Sequence, residues 1–224
     1  MKAVFQGEFH ISSTDRESLD SHLDADADAL FVEQREDRAS PDNWSIGYLS
    51  FLIGALTLYW LQAALYDGPD IKEKAEIPVY DEIDTDLPEL YPRFPKSWIL
   101  GSGIISGLVF AAGLFVPVYP FPFIDAPAVA SLAFTAVVKP MMVIGAPLLF
   151  SFFLIILEER RLGTRDQDMA EEIHRSSKEN GYDTIVVSCG DAHLDSLPDL
   201  LEEKGWETEV NESDHSWAAK IWRW

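Results

Sequence analysis

Four stretches of this chain hold no Asp, Glu, Lys or Arg: 43–66, 97–124, 126–138 and 140–157. Asp125 and Lys139 interrupt the last three, and almost everything else is densely charged. A helix that crosses a bilayer needs about 20 consecutive apolar residues. Spans are therefore expected near 44–66, 97–118, 122–138 and 140–157. Residues 119–157 admit two readings. A hairpin turning near Lys139-Pro140 gives four spans, and one long helix bent at Pro140 and Pro147 gives three. Small residues recur at intervals of three and four in two of the stretches: Gly103, Gly107 and Ala111, and Gly47, Ser50, Gly54 and Thr57. That spacing favours packed helices in a bilayer.

The polar flanks carry a different pattern. In residues 1–43, a strand is expected from Ala3 to Gln6, with Gly7 allowing a turn and a close backbone approach. Thr14 and Glu17 have capping-box spacing, so a helix opens at Asp15. A second, buried strand covers 29–33 through Leu30, Phe31 and Val32. In residues 158–224, Thr164 and Gln167 repeat the capping spacing, and a helix runs from Arg165 to about Asn180, stopped by Gly181. A strand follows over 184–188, then a helix with one face of Leu194, Leu197, Leu200 and Leu201, and an edge strand from Trp206. Trp217, Ile221 and Trp224 share a face of the Trp-rich tail, which reads equally well as an interfacial helix or a docking helix. Each flank alone is too small for a core. Joined, they make an α/β domain: a small parallel or mixed sheet with flanking helices, split by an inserted bundle of transmembrane helices. Residues 43 and 158 must then lie on one side of the membrane, so the number of spans is even. Four spans satisfy this, and three do so only if 44–66 lies flat on the surface.

Charge sharpens the picture. The chain has 17 basic and 38 acidic residues, a formal net charge of -21. No basic patch or stripe is visible, which argues against nucleic acid as a partner. An acidic, lysine-poor surface suits concentrated salt, so a halophilic host is expected. The single cysteine, Cys189, excludes an internal disulfide framework and a thiolate zinc cluster. Basic residues near the span ends slightly favour a cytoplasmic soluble domain on a multi-pass protein of the cell membrane.

Candidate chemistry gathers at expected strand ends, where open α/β sheets place ligands. Gly7-Glu8-Phe9-His10 and Gly190-Asp191-Ala192-His193 share the form Gly-x-x-His. Glu33 ends a third strand. Two imidazoles and a carboxylate make a competent set for a divalent cation. His22, His174 and His215 lack this context and are expected at the surface.

These residues resemble the TraB/PrgY family, in the wider group that includes the TIKI proteins, and mark the chain as a divergent and shortened member. The matched positions are Val4 to Ser12 with Gly7 and His10, then Val32, Glu33 and Arg38. Arg165, Asp166, Met169 and Ala170 follow, then Ile185 to Leu194 with Gly190 and His193. Glu8 stands where the family usually has Thr, and the apolar stretches occupy the place of the family's middle region. The resemblance implies a metal-dependent hydrolase, acting on peptides. His10, Glu33 and His193 would hold manganese, cobalt or zinc, and Glu8 or Asp191 would take the water's proton or serve as a further ligand. Arg38 or Arg165 would hold a substrate carboxylate or developing charge. Expected partners are the lipid bilayer and a peptide substrate. Two other readings stay open: a non-enzymatic membrane protein that binds metal or peptide through a retained TraB-like site, and a structural membrane protein.

Overall fold

A computed structural model describes residues 1–8, 19, 27–33, 45–65, 75–115 and 128–213. The expected helix at Asp15, His10, His22, Arg38, His215 and the Trp-rich tail all lie outside these residues.

Five strands form one sheet in the order β3-β2-β4-β1-β5, and every pairing is parallel. They are β1 (Lys2–Glu8), β2 (Ala29–Val32), β3 (Val79–Asp81), β4 (Thr184–Gly190) and β5 (Glu207–Asn211). The two polar flanks thus share one sheet, as expected, because β4 lies between β1 and β2. The neighbouring strands β2 and β4 are buried almost throughout and read as apolar runs, since both their faces are covered. On one face Phe5, Phe31, Ile185 and Val187 pack with Met169, Ile173, Leu197 and Leu201. The other face buries Leu30, Val32 and Val186 against Leu19 and Ala27. Asp28 fastens the strand starts, its Oδ2 accepting from the backbone of Asp183 and Thr184 at 2.8 Å each. Those two N–H groups hold its carboxyl below the usual value.

The flat expectation that 44–157 belongs to the membrane is corrected by β3. Three residues of that segment pair with β2 in the sheet that the two flanks share, with Leu30 opposite Val79. A strand that short leaves almost no periodic signal. The chain accordingly divides into two compact units, Met1–Arg38 with Trp60–Leu90 and Glu158–Trp224, and Ala39–Tyr59 with Tyr91–Leu157.

The second unit is helical. Its elements come from α1 (Ile46–Leu65), α3 (Lys96–Phe115) and α4 (Ala128–Arg161), while α2 (Leu87–Leu90) is a single turn before α3. Two stretches are long and apolar enough to cross a membrane, Lys96–Phe115 and Thr135–Glu158, and Ile46–Thr57 is a shorter apolar one. The hairpin expected near Lys139-Pro140 is absent, for α4 runs unbroken through both Pro140 and Pro147. Proline removes a helix hydrogen bond without ending the helix when its surroundings hold the axis. Gly54 lets α1 approach α4, where a Cβ would meet the carbonyl of Pro147 and the Ser151 side chain. Ser151 donates to the Phe51 carbonyl at 2.8 Å. The second expected small-residue face is not used in that way. A Cβ at Gly107 would meet open space, and the buried positions of α3 are Ser102, Ser106 and Gly113.

In the first unit, α5 (Thr164–Asn180) and α6 (Leu197–Glu203) cover one sheet face. Gly181 ends α5 in the left-handed region, at φ 74°, where its N–H reaches the Ser177 carbonyl. His174 is half-buried rather than a bare surface residue, and its Nδ1 accepts from the Trp206 indole at 3.0 Å. Burial, with Lys178 and Lys204 nearby, lowers its pKa against the opposing pull of Glu171. The unfolded chain therefore takes up the proton more readily. The stabilisation is complete above about pH 6.5 and is lost as pH falls from there through the lower folded value. His174→Gln keeps an acceptor that does not titrate. Its melting temperature should fall less than the wild type's between pH 7.5 and 5, and equal falls would show that this hydrogen bond carries no pH dependence.

Candidate functional site

At the carboxyl ends of β2 and β4, Glu33, Asp84, Arg165, Asp166 and His193 form one connected cluster. Each arrives for a local reason. Glu33 is the first residue past β2, and its N–H donates to the Ser188 carbonyl at 2.8 Å, continuing the pairing with β4. Asp84 follows β3 on a short segment pinned by Thr85, whose Oγ1 donates to Asp168 at 2.7 Å. Arg165 and Asp166 lie in the first turn of α5. His193 sits on a one-turn 3-10 helix, Asp191–Asp195, that begins where β4 ends.

Arg165 is the centre. Its Nε and Nη2 donate to the two oxygens of Asp84 at 2.8 and 2.7 Å, and Nη2 also reaches Glu33 Oε1 at 3.2 Å. Burial works against its charge, but Asp84, then Glu33 and Glu158, raise its pKa above the ordinary value. Glu33 is held from three directions. Oε1 faces both Arg165 and His193 Nε2, the latter at 3.1 Å, and Oε2 accepts the Gly190 N–H at 2.7 Å.

His193 is sandwiched. Its Nδ1 faces Asp166 Oδ1 at 2.5 Å, while Nε2 faces Glu33. Burial alone would lower its pKa. The Glu33 charge and the hydrogen bonds to Asp166 and Glu33 outweigh that and push it up to about 10. With a carboxylate on each ring nitrogen, the imidazolium is the form that satisfies both contacts. Asp166 is itself fixed by the Ser196 hydroxyl.

The capping-box spacing at Thr164 and Gln167 does not cap α5. Gly163 takes the N-cap position with φ 58° and offers no side chain. Glu158 supplies the acceptor instead: its Oε1 takes the Thr164 N–H and hydroxyl at 2.9 Å each and the Arg165 N–H at 3.1 Å. A carboxylate at these first N–H groups is favoured by the helix dipole as well.

Of the expected site residues, the structure brings together Glu33, Arg165 and His193. Asp191 is buried on the neighbouring side, where its oxygens accept from Ser213 N at 3.1 Å and Ser213 Oγ at 2.5 Å. Gly7 does permit a close approach, as expected: a Cβ there would collide with Asp191 and lie 2.7 Å from Leu194. The turn expected at Gly7 is absent, since β1 continues to Glu8, which pairs with Gly190. Among the described residues, no three His, Cys, Asp or Glu side chains are grouped to hold a metal ion. Sequence reasoning missed Asp84 and Glu158 and matched Asp166 to the family pattern without giving it a contact. The apolar alternation of Ile77 and Val79 just ahead of Asp84 was the available signal for a strand end.

No family model matches the chain, and neither the curated proteins nor the solved structures give a match.

The pairing of Arg165 has a measurable consequence. Asp84→Ala leaves a buried guanidinium with half its partners and should cost about 3–5 kcal/mol of stability. Removing the charge as well, in Asp84→Ala/Arg165→Met, should recover part of that loss. Denaturant unfolding of the purified protein measures both, and a double variant no more stable than Asp84→Ala would show that the penalty is not an unpaired charge.

Proposed function

We propose that the chain is a membrane-anchored, metal-dependent hydrolase acting on peptides, with the cation held by His10, Glu33 and His193. The observation that carries this reading is the contact of Glu33 Oε1 with His193 Nε2 at 3.1 Å, between residues far apart in sequence. Two ligand atoms about 2.1 Å from one cation, near right angles, stand about 3 Å apart, so the two donors fit. Asp166 behind Nδ1 has the second role such sites use, orienting the imidazole and raising its basicity. Support also comes from the TraB/PrgY resemblance, whose order of motifs follows these strand ends.

Bound there, a divalent cation supplies an acidified water and a Lewis acid for the scissile carbonyl. The chain's own residues do the rest. Gly190 N–H and Arg165 fix the Glu33 carboxylate, so that its Oε1 stays aimed at Nε2. Asp84 neutralises Arg165 and holds it still. Asp191, anchored by Ser213, is too committed to that pair to serve as a free base without releasing it. Glu8 and Arg38 stay in the proposal as base and substrate clamp on the resemblance alone.

A specific observation favours the non-enzymatic alternative. Arg165 and the charged form of His193 already neutralise Glu33 internally. Such a cluster is complete without a cation, and a retained site of this kind would bind peptide or metal for sensing.

Purified protein in concentrated salt should take up about one divalent cation per chain, falling as pH drops because a ligating imidazole must give up its proton. His193→Ala and Glu33→Gln should each remove most of that uptake, whereas His174→Gln should not change it. Equal uptake by all three, read by equilibrium dialysis, would sink the metal site. Metal uptake without turnover of a broad peptide library would leave the sensing alternative. The anchoring is tested separately: detergent rather than salt washing should be needed to release the protein from membranes.

A further inference from the structure

We propose that α1 does not cross the membrane but lies against one face of it, with Ile46, Ile53, Leu56 and Trp60 set into the acyl chains of a single leaflet. This rests on the membrane anchoring proposed above and goes beyond it. By length and apolarity the 43–66 stretch passes for a span. The sheet forbids it. Strands β2 and β3 are hydrogen-bonded neighbours, Leu30 to Val79 and Val32 to Asp81, and α1 lies between them in the chain. Both ends of α1 must therefore return to the same side. If α1 crossed, residues 66–78 would have to cross back. They include Asp67, Asp70, Lys72, Glu73, Lys74 and Glu76. A bilayer core accepts neither that density of charge nor backbone groups without partners.

An uninterrupted helix of 20 residues is about 30 Å long and cannot turn back on itself. Its axis must run along or obliquely to the membrane plane. The exposed side chains agree. Ile46, Ile53, Leu56 and Trp60 are 86%, 54%, 41% and 66% exposed. At 3.6 residues per turn, their spacings of seven, three and four put them on one side of the helix. Tyr48, Phe51, Leu52 and Ala55 are buried on the other. No charge lies on either side of α1, so water is a poor neighbour for the exposed stripe. Lipid is the occupant because α3 and α4, the two helices fit to span, expose the same chemistry through Leu100, Ile104, Leu108, Val137, Met141 and Ile144. Two crossings, by α3 and α4, then give the even count that one shared sheet requires.

The test uses the full chain in vesicles of uniform orientation, in a Cys189→Ala background that keeps the wild-type circular dichroism. Single cysteines replace Lys2, Asp70 and Pro120, and a membrane-impermeant maleimide probes them. Lys2→Cys and Asp70→Cys should label from the same side and Pro120→Cys from the other. Spin labels at Ile46→Cys, Ile53→Cys and Trp60→Cys should report acyl-chain depth within the leaflet on the Lys2 side. Asp70→Cys labelling opposite Lys2→Cys would overturn the proposal while leaving the anchoring intact. Spin labels broadened by a second chain, with no lipid contact, would overturn it in favour of a dimer face. Labelling of all three cysteines from one side would overturn the anchoring reading along with it, whatever the metal uptake.

Discussion

A guanidinium buried in a protein must find its counter-charges, and the polar side of this fold is arranged around that need. Arg165 stands at the start of α5, yet its partners come from the segments after β3 and after β2. Three pieces of chain far apart in sequence are thereby pinned at one edge of the sheet. Buried ion pairs often add little net stability, because desolvation offsets the attraction. What this one fixes is geometry. Asp84 takes two parallel donors, which sets the plane of the guanidinium. The remaining contact of Nη2 then aims Glu33 at His193.

Much of that geometry follows from the parallel sheet. Residues just past the carboxyl ends of adjacent parallel strands converge whatever their sequence separation, so Glu33 and His193 were legible once their strands were. Arg165 was legible as part of a motif, and its partner was not. Asp84 follows a strand of three residues between two apolar stretches, and hydropathy assigned the whole interval to a membrane loop. Glu158 hid at the end of an apolar run, where a charge reads as the mere edge of a span. The capping-box spacing at Thr164 misled because it assumes an ordinary N-cap. Gly163 is left-handed there, and the acceptor comes from the preceding helix.

The helical part was legible in content and less so in arrangement. Uncharged length identifies a helix suited to lipid, but not how its ends are tied. Lys139-Pro140 suggested a hairpin, but the other reading, one long helix through Pro140 and Pro147, is what the structure has, since proline's cost inside a helix is one hydrogen bond and a bend. Small-residue spacing in α3 was real, yet spacing alone does not say which of several faces is used. Ser102, Ser106 and Gly113 face inward, while Gly107 does not.

The cluster also sets the terms on which a cation would enter. Glu33 Oε1 is shared by Arg165 and His193, and Oε2 is taken by Gly190. Moving Glu33 would strand the Gly190 N–H and part of the Arg165 charge. A cation held as proposed would have to displace the proton on His193 Nε2, which faces Glu33. Asp166 at Nδ1 fixes the orientation of the ring. Arg165 stays neutralised by Asp84 throughout, so its repulsion toward the incoming charge is blunted by the carboxylate it already holds. The charges of the cluster are balanced within the chain, with Arg165 and His193 set against Glu33 and Asp84 set against Arg165.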